Sequence, residues 1–234
     1  METEKQITAT CGDFSFPLVI ARNPKAKRMR IRIDRRRKTP VLVLGSRMSE
    51  KSGLQFVMQN AAWIKIRLEN LPEERKFDDM MTFDLFGESV TIRQSPTAKR
   101  GVWLDGGVLW VSGQPEHLPR RVLDFIKGEL RRRMRQKARE LAEILNVKIG
   151  AVTVRDTKSR WGSCNKNGDL SFSWRLALAP APVCDYVAAH EVSHIREMNH
   201  SLKFWKTVAL LDPDFKTHEQ WLKKNADFLH SFSV

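Results

Sequence analysis

Residues 187–205 read VAAHEVSHIREMNHSLKFW. His190 and His194 stand four positions apart. On a helix that spacing is just over one turn, so both imidazoles leave the same face. Glu191 follows the first histidine directly, so its carboxylate sits beside whatever the pair holds. In this H-E-x-x-H arrangement two histidines bind a zinc ion, and the glutamate takes a proton from water without being a ligand. A zinc ion that does chemistry needs a third protein ligand and one open position. His200 is the candidate. Continuous helix would rotate it about 240° away from the pair, so the helix has to end between His194 and His200. Met198-Asn199 is the expected end, because asparagine tolerates the left-handed conformation of a helix C-terminus. The three histidines keep the spacing of the longer pattern H-E-x-x-H-x-x-G-x-x-H, with Glu197 standing at its glycine. The Glu197 carboxylate is the expected hydrogen-bond partner of a ligating histidine, with direct ligation as the alternative. His117, His218 and His230 lack such spacing and read as surface or helix-end residues.

The flanking sequence gives this stretch a setting. Residues 152–180 read VTVRDTKSRWGSCNKNGDLSFSWRLALAP. Asn167-Gly168 signals a hairpin turn. Leu170, Phe172, Trp174 and Leu176 then alternate with Ser171, Ser173 and Arg175, predicting a strand over 170–178 that is a candidate sheet edge. Pro180 and Pro182 interrupt the chain, and a helix is expected over 183–198, with further helices over 202–211 and 218–232. Upstream, an apolar stripe including Val122, Ile126, Leu130, Met134 and Leu141 predicts a long helix over 120–145. Its other face carries Arg131, Arg132, Arg133, Arg135, Lys137 and Arg139, read as a solvated basic face or a phosphate-binding one.

The segment GQPEHLP, residues 113–119, marks the expected boundary between a region spanning 1–115 and a second domain spanning 116–234. The first region is β-rich, with alternating apolar residues before Gly45 and again over 82–112, where Gly106-Gly107 marks a hairpin turn. Ser49 is a plausible N-cap for the one helix there, over 50–71, which Pro72 stops. Between its first strands runs KAKRMRIRIDRRRK, residues 25–38. Arg30 and Arg32 alternate with Ile31 and Ile33, giving a row of cations on one strand face. That row suits either nucleic acid or the guarding of a sheet edge.

Composition narrows the class. The 234 residues are 41% hydrophobic and 29% charged, as in ordinary globular proteins. No apolar run approaches the ~20 residues that span a bilayer, and the polar start of the chain is unlike a secretory signal, so cytoplasmic residence is expected. Cys11, Cys164 and Cys184 match no disulfide or zinc spacing. The formal net charge of +14 points to an anionic partner or to a basic solvated surface.

Three segments, TKSRWGSC, GDLSFSWRLALAP and YVAAHEVSHIREMNHSLKFW, together resemble the YgjP-like metallopeptidase family, related to the SprT and WLM zinc proteases. The resemblance is close over 152–205 and looser in the N-terminal half. It implies an α+β fold: a compact zincin-type domain, with the active-site helix on a small antiparallel sheet, beside the β-rich N-terminal region. It implies zinc held by His190, His194 and His200 and Glu191 as general base, and leaves the substrate open, a peptide or protein being the leading reading. A nucleotide pyrophosphatase activity is the alternative, with Arg160, Arg175 or the basic helix over 120–145 holding phosphates, and a nucleic-acid-associated zinc protein is the third reading. Trp161, Trp174 and Trp205 are candidates for a cleft wall, with plain core packing expected for at least two of them.

Overall fold

Alternation in the first 45 positions becomes a four-stranded sheet. Its strands β1 (Glu4–Cys11), β2 (Phe14–Arg22), β3 (Arg30–Asp34) and β4 (Thr39–Leu44) run in the order β1-β2-β4-β3. The computed structural model describes residues 4–34, 37–99 and 101–233. Arg35 and Arg36, inside the basic run, lie outside the described residues. β2 and β4 are parallel and the two outer pairs antiparallel. Leu18, Ile20, Leu42 and Leu44 form a core with Val57 and Ile64. Those two come from α1 (Glu50–Gln59) and α2 (Ala61–Glu69). Ser49 caps α1 as expected, its Oγ accepting from the Ser52 amide at 3.1 Å. The single helix expected over 50–71 is two, broken at Asn60 (φ −106°, ψ 12°). There the side-chain amide donates to the Phe56 carbonyl at 2.8 Å.

The chain divides into two compact units, Met1–Glu73 and Glu74–Val234. The division therefore does not fall at the loop 113–119. The second unit opens with β5 (Arg75–Lys76) and a four-stranded sheet of β6 (Thr82–Leu85), β7 (Glu88–Ser95), β8 (Val102–Asp105) and β9 (Val108–Ser112), in the order β6-β7-β9-β8. Two tight turns carry it: Phe86 and Gly87 join β6 to β7, and Gly106 and Gly107 join β8 to β9, all at positive φ. Ile92, Leu109 and Val111 share one core with Leu118, Val122 and Ile126 of α3 (Leu118–Leu145) and with Phe172 and Val187 further on. A proline- and glycine-bearing loop here separates elements, and the hydrophobic core runs across it. α3 stops at Asn146, held left-handed (φ 52°, ψ 49°) with its amide on the carbonyls of Ala142 and Glu143.

After α3 comes a three-stranded sheet, β10 (Val152–Arg155), β11 (Gly162–Cys164) and β12 (Leu170–Ser173), in the order β10-β12-β11. β11 and β12 are antiparallel around the expected turn, but β10 joins β12 in parallel, so the sheet is mixed. The strand expected over 170–178 ends at Ser173 and is central. Trp174–Leu178 winds into a buried 3-10 turn, where Trp174 donates its indole N–H to Asp156 at 3.2 Å. Helices α4 (Ala181–Arg196), α5 (Leu202–Leu211) and α6 (Phe215–Ser231) follow, and β13 (Phe232–Ser233) pairs with β5. Among the described residues no helix is long and apolar enough to cross a membrane.

Candidate metal centre

α4 is fixed before it reaches the histidines. Its first amide, on Ala181, donates to the Phe86 carbonyl at 3.0 Å, and the Phe86 amide donates to the Ala177 carbonyl at 2.8 Å. The β6–β7 turn thus grips the residues on both sides of Pro180. One turn further, Asp185 receives two bonds of 2.9 Å from Arg133 of α3, and Lys137 lies 3.8 Å away. Two cations of the α3 basic face therefore hold α4, and Arg132 pairs with Glu129. The cations of this face are in part structural.

Helical spacing then puts His190 and His194 side by side, ring centroids 5.0 Å apart. α4 ends at Arg196, earlier than the expected Met198-Asn199, and by a different device. Glu197 is extended (φ −135°, ψ 98°), and its amide still bonds the Ser193 carbonyl. The chain turns back through Asn199, whose side chain accepts from the Ser201 amide at 3.2 Å. Ser201 caps α5, accepting from the Phe204 amide at 3.3 Å. His200, just before that cap, arrives with its Nε2 3.2 Å from His190 Nε2. One potential ligand atom from each of the three histidines lies within 4.8 Å of the others.

These residues fit a metal ion on three counts. Two nitrogens each about 2.0–2.1 Å from a tetrahedral ion stand about 3.3 Å apart, close to the His190–His200 separation. His194 Nδ1 lies 3.1 Å from the Glu197 carbonyl oxygen, which fixes the ring and leaves its other nitrogen free. Here the backbone of Glu197 does what was expected of its carboxylate. His190 and His194 are also kept neutral, the form that ligates. Burial and then the neighbouring His194 and His200 push His190 down to about 4, and burial lowers His194 against the opposing pull of the Glu197 carbonyl. His190 Nδ1 is buried and has no hydrogen-bond partner among the described residues.

The sequence reading missed two supports. Phe204, fully buried, is a floor under all three imidazoles: it stacks on His194 with centroids 4.5 Å apart, and meets His190 and His200 edge-on at 4.9 and 4.8 Å. Gly162 faces the Glu191 side chain so closely that a Cβ there would lie 2.5 Å from Oε1 and 2.7 Å from Cγ. A glycine inside a strand is the sequence signal for such an approach. Glu191 is 5% exposed, and burial pushes its carboxyl up to about 8, against the charge of Arg160.

The remaining candidates sort by contact. Arg175 is buried and engaged: its guanidinium donates to the Phe232 carbonyl at 2.9 and 3.2 Å, pairs with Asp156 and lies over the Trp174 ring. It is not available to a phosphate, whereas Arg160 is exposed. Trp174 is core. Trp161 stacks on His230 at 4.9 Å, and Trp205 lies 5.9 Å from His200 with Phe215 stacked behind it. His218, expected at the surface or at a helix end, stands in the first turn of α6, half-buried, and bonds Asp212 at 2.8 Å.

A family described as YgjP-like, metallopeptidase domain, matches residues 27–225. Among solved structures, the crystal structure of the metallopeptidase zymogen of Pyrococcus abyssi abylysin is similar at 19% identity and a TM-score of 0.36, covering 39% of this chain and 93% of that one. No curated protein matches.

Proposed function

Because the chain belongs to the YgjP-like metallopeptidase family, we propose that it is a zinc-dependent peptidase with His190, His194 and His200 as ligands and Glu191 as general base. The observation that carries this is the convergence of three imidazoles within 4.8 Å, two of them on the helix that also bears a buried carboxylate. Bound there, zinc supplies Lewis acidity: it polarises a carbonyl and makes water more acidic. The protein's part is proton handling and orientation. Burial disfavours the charged form of Glu191 in metal-free protein, and the charge of an ion held by the neighbouring histidines would favour it, so the carboxylate is the base once the ion is bound. It takes a proton from the attacking water and returns it to the leaving amine. Gly162 lets β11 close over that carboxylate and limits where it points. β11 is also the outer strand of its sheet, so an extended peptide can add to its free edge through main-chain hydrogen bonds. That role moves here from the 170–178 segment, which is central.

A second reading, hydrolysis of a nucleotide, is favoured by one observation: exposed Arg160 acts electrostatically on Glu191 and can hold a phosphate near it. One experiment separates the two. Zinc-loaded protein is given an unfolded protein substrate and, separately, nucleoside triphosphates, with and without chelator. Chelator-sensitive peptide cleavage that Glu191→Gln abolishes is the expected result. Pyrophosphate release without peptide cleavage would overturn the peptidase reading.

A further inference from the structure

The positive charge of the first unit is gathered in one place. Residues 22–38 contain ten lysines and arginines and a single acid, Asp34. The rest of Met1–Glu73 contains five lysines and arginines against six acids. Outside this run the unit is therefore close to neutral, which is not how charge is distributed for solubility alone. Guarding a sheet edge takes a cation or two on the outer strand; this run holds far more.

The fold displays the run. β3 is the outermost strand of its sheet, paired with β4 alone. Arg30 and Arg32 are exposed while Ile31 and Ile33 are half-buried. Two residues apart on a strand, the arginines share a face at roughly 6.7 Å spacing. Lys25, Lys27 and Arg28, just before β3, are exposed as well. Other cations of the unit meet glutamates: Lys5 and Arg22 with Glu50, Arg37 with Glu4, Lys65 with Glu69. Lys25, Lys27, Arg28, Arg30 and Arg32 form no ion pair among the described residues.

From this we infer that the β3 edge and the segment leading into it are a nucleic-acid-binding surface that grips the phosphate backbone. The chemistry selects the partner. Three of these five cations, Arg28, Arg30 and Arg32, are arginines, whose forked donors match phosphate oxygens two at a time. A membrane surface fits less well, because stable attachment needs apolar insertion beside the cations. The apolar side chains here, Met29 and Ile31, are packed against the core. Backbone contacts carry no base information, so binding is sequence-independent. The inference is independent of the peptidase reading and can fail without it.

The test titrates the full chain with a labelled oligonucleotide, single-stranded and duplex, at 50 and 200 mM salt. Five neutralised phosphates predict an affinity loss across that range of about 500-fold on duplex and about 100-fold on single strand. R30Q/R32Q removes two contacts, so its loss across the same range on duplex shrinks to about 40-fold. An unchanged melting temperature shows that the variant is folded. K25Q/K27Q, outside the sheet, should shrink the salt dependence equally and keeps the test open if the strand variant is unstable. Three results would each overturn the inference: no binding at 50 mM salt, a salt dependence that neither variant changes, or equal binding to phosphatidylserine vesicles or polyglutamate.

Discussion

Gly162→Ala tests the candidate site at a position that holds neither metal nor proton. The added Cβ would lie 2.5 Å from Glu191 Oε1 and 2.8 Å from Cδ, whereas ordinary contact begins near 3.4 Å. The carboxylate must therefore retreat by about 0.9 Å, or β11 must move away from α4 by as much. Misplacing a reacting group by about 1 Å costs on the order of 100-fold in rate. Overpacking costs a further 1–3 kcal/mol or so of stability. The ligands are held separately, by Phe204 and by the Glu197 carbonyl. Zinc affinity, measured by competition with a chelating dye, should therefore change less than about threefold, on the principle that separated sites behave independently. The assay is kcat on a fluorogenic peptide with zinc saturating, beside a melting curve for each variant. Glu191→Gln provides the internal control. Once the base is gone its position no longer matters, so adding Gly162→Ala to Glu191→Gln should lower the residual rate no further. Full kcat in Gly162→Ala, or a double variant in which the two losses multiply, would refute the argument that the glycine acts through the carboxylate.

Three further outcomes are expected. His200→Ala should weaken zinc binding by at least about 100-fold by dye competition, with the melting temperature of metal-free protein nearly unchanged because this side chain is exposed. In metal-free protein Glu191 holds its proton up to about pH 8, above its ordinary value of 4.5, so the folded form binds the extra proton. Its effect is fully favourable below the unfolded value, and stability falls as pH rises through about 8. Urea titrations at pH 5 and 9 should show that slope, and Glu191→Gln should flatten it. Asn146→Ala should destabilise by roughly 1 kcal/mol because the position is left-handed, while Asn146→Gly should be neutral or stabilising in the same urea assay.

What the sequence made legible follows the reach of each signal. His190 and His194 were readable as neighbours because helical periodicity is local, and the turn at Gly106-Gly107 because its positive φ angles select glycine. The break between His194 and His200 was required by rotation alone, yet its position was not readable. Extended Glu197, not Asn199, ends the helix, and no side-chain preference announces it. Arg175 sat in the polar phase of an alternating run and was read as outward. It turns in because the Phe232 carbonyl and Asp156, far along the chain in both directions, wait there. The same run ends as a strand at Ser173 and winds into a 3-10 turn, Trp174–Leu178, buried throughout, so alternation carries no meaning there. Phe204 and Gly162 escaped notice as parts of the site for one reason: their roles depend on distances between elements. The loop at 113–119 read as a domain boundary because proline and glycine punctuate elements, while a domain ends where its core does.

The orienting contact on His194 has a consequence for how the site tolerates change. Its acceptor belongs to the main chain, so no replacement of the Glu197 side chain removes it. Glutamine, serine or alanine at position 197 offers the same oxygen. What the site requires is a helix of fixed length. A substitution that carried α4 one turn further would draw the carbonyl into a helical hydrogen bond and swing His200 away together with it. The information for this contact is stored as the place where winding stops, so a scan for invariant side chains would pass over it, and an insertion or deletion in 195–199 would be more damaging than any single replacement there.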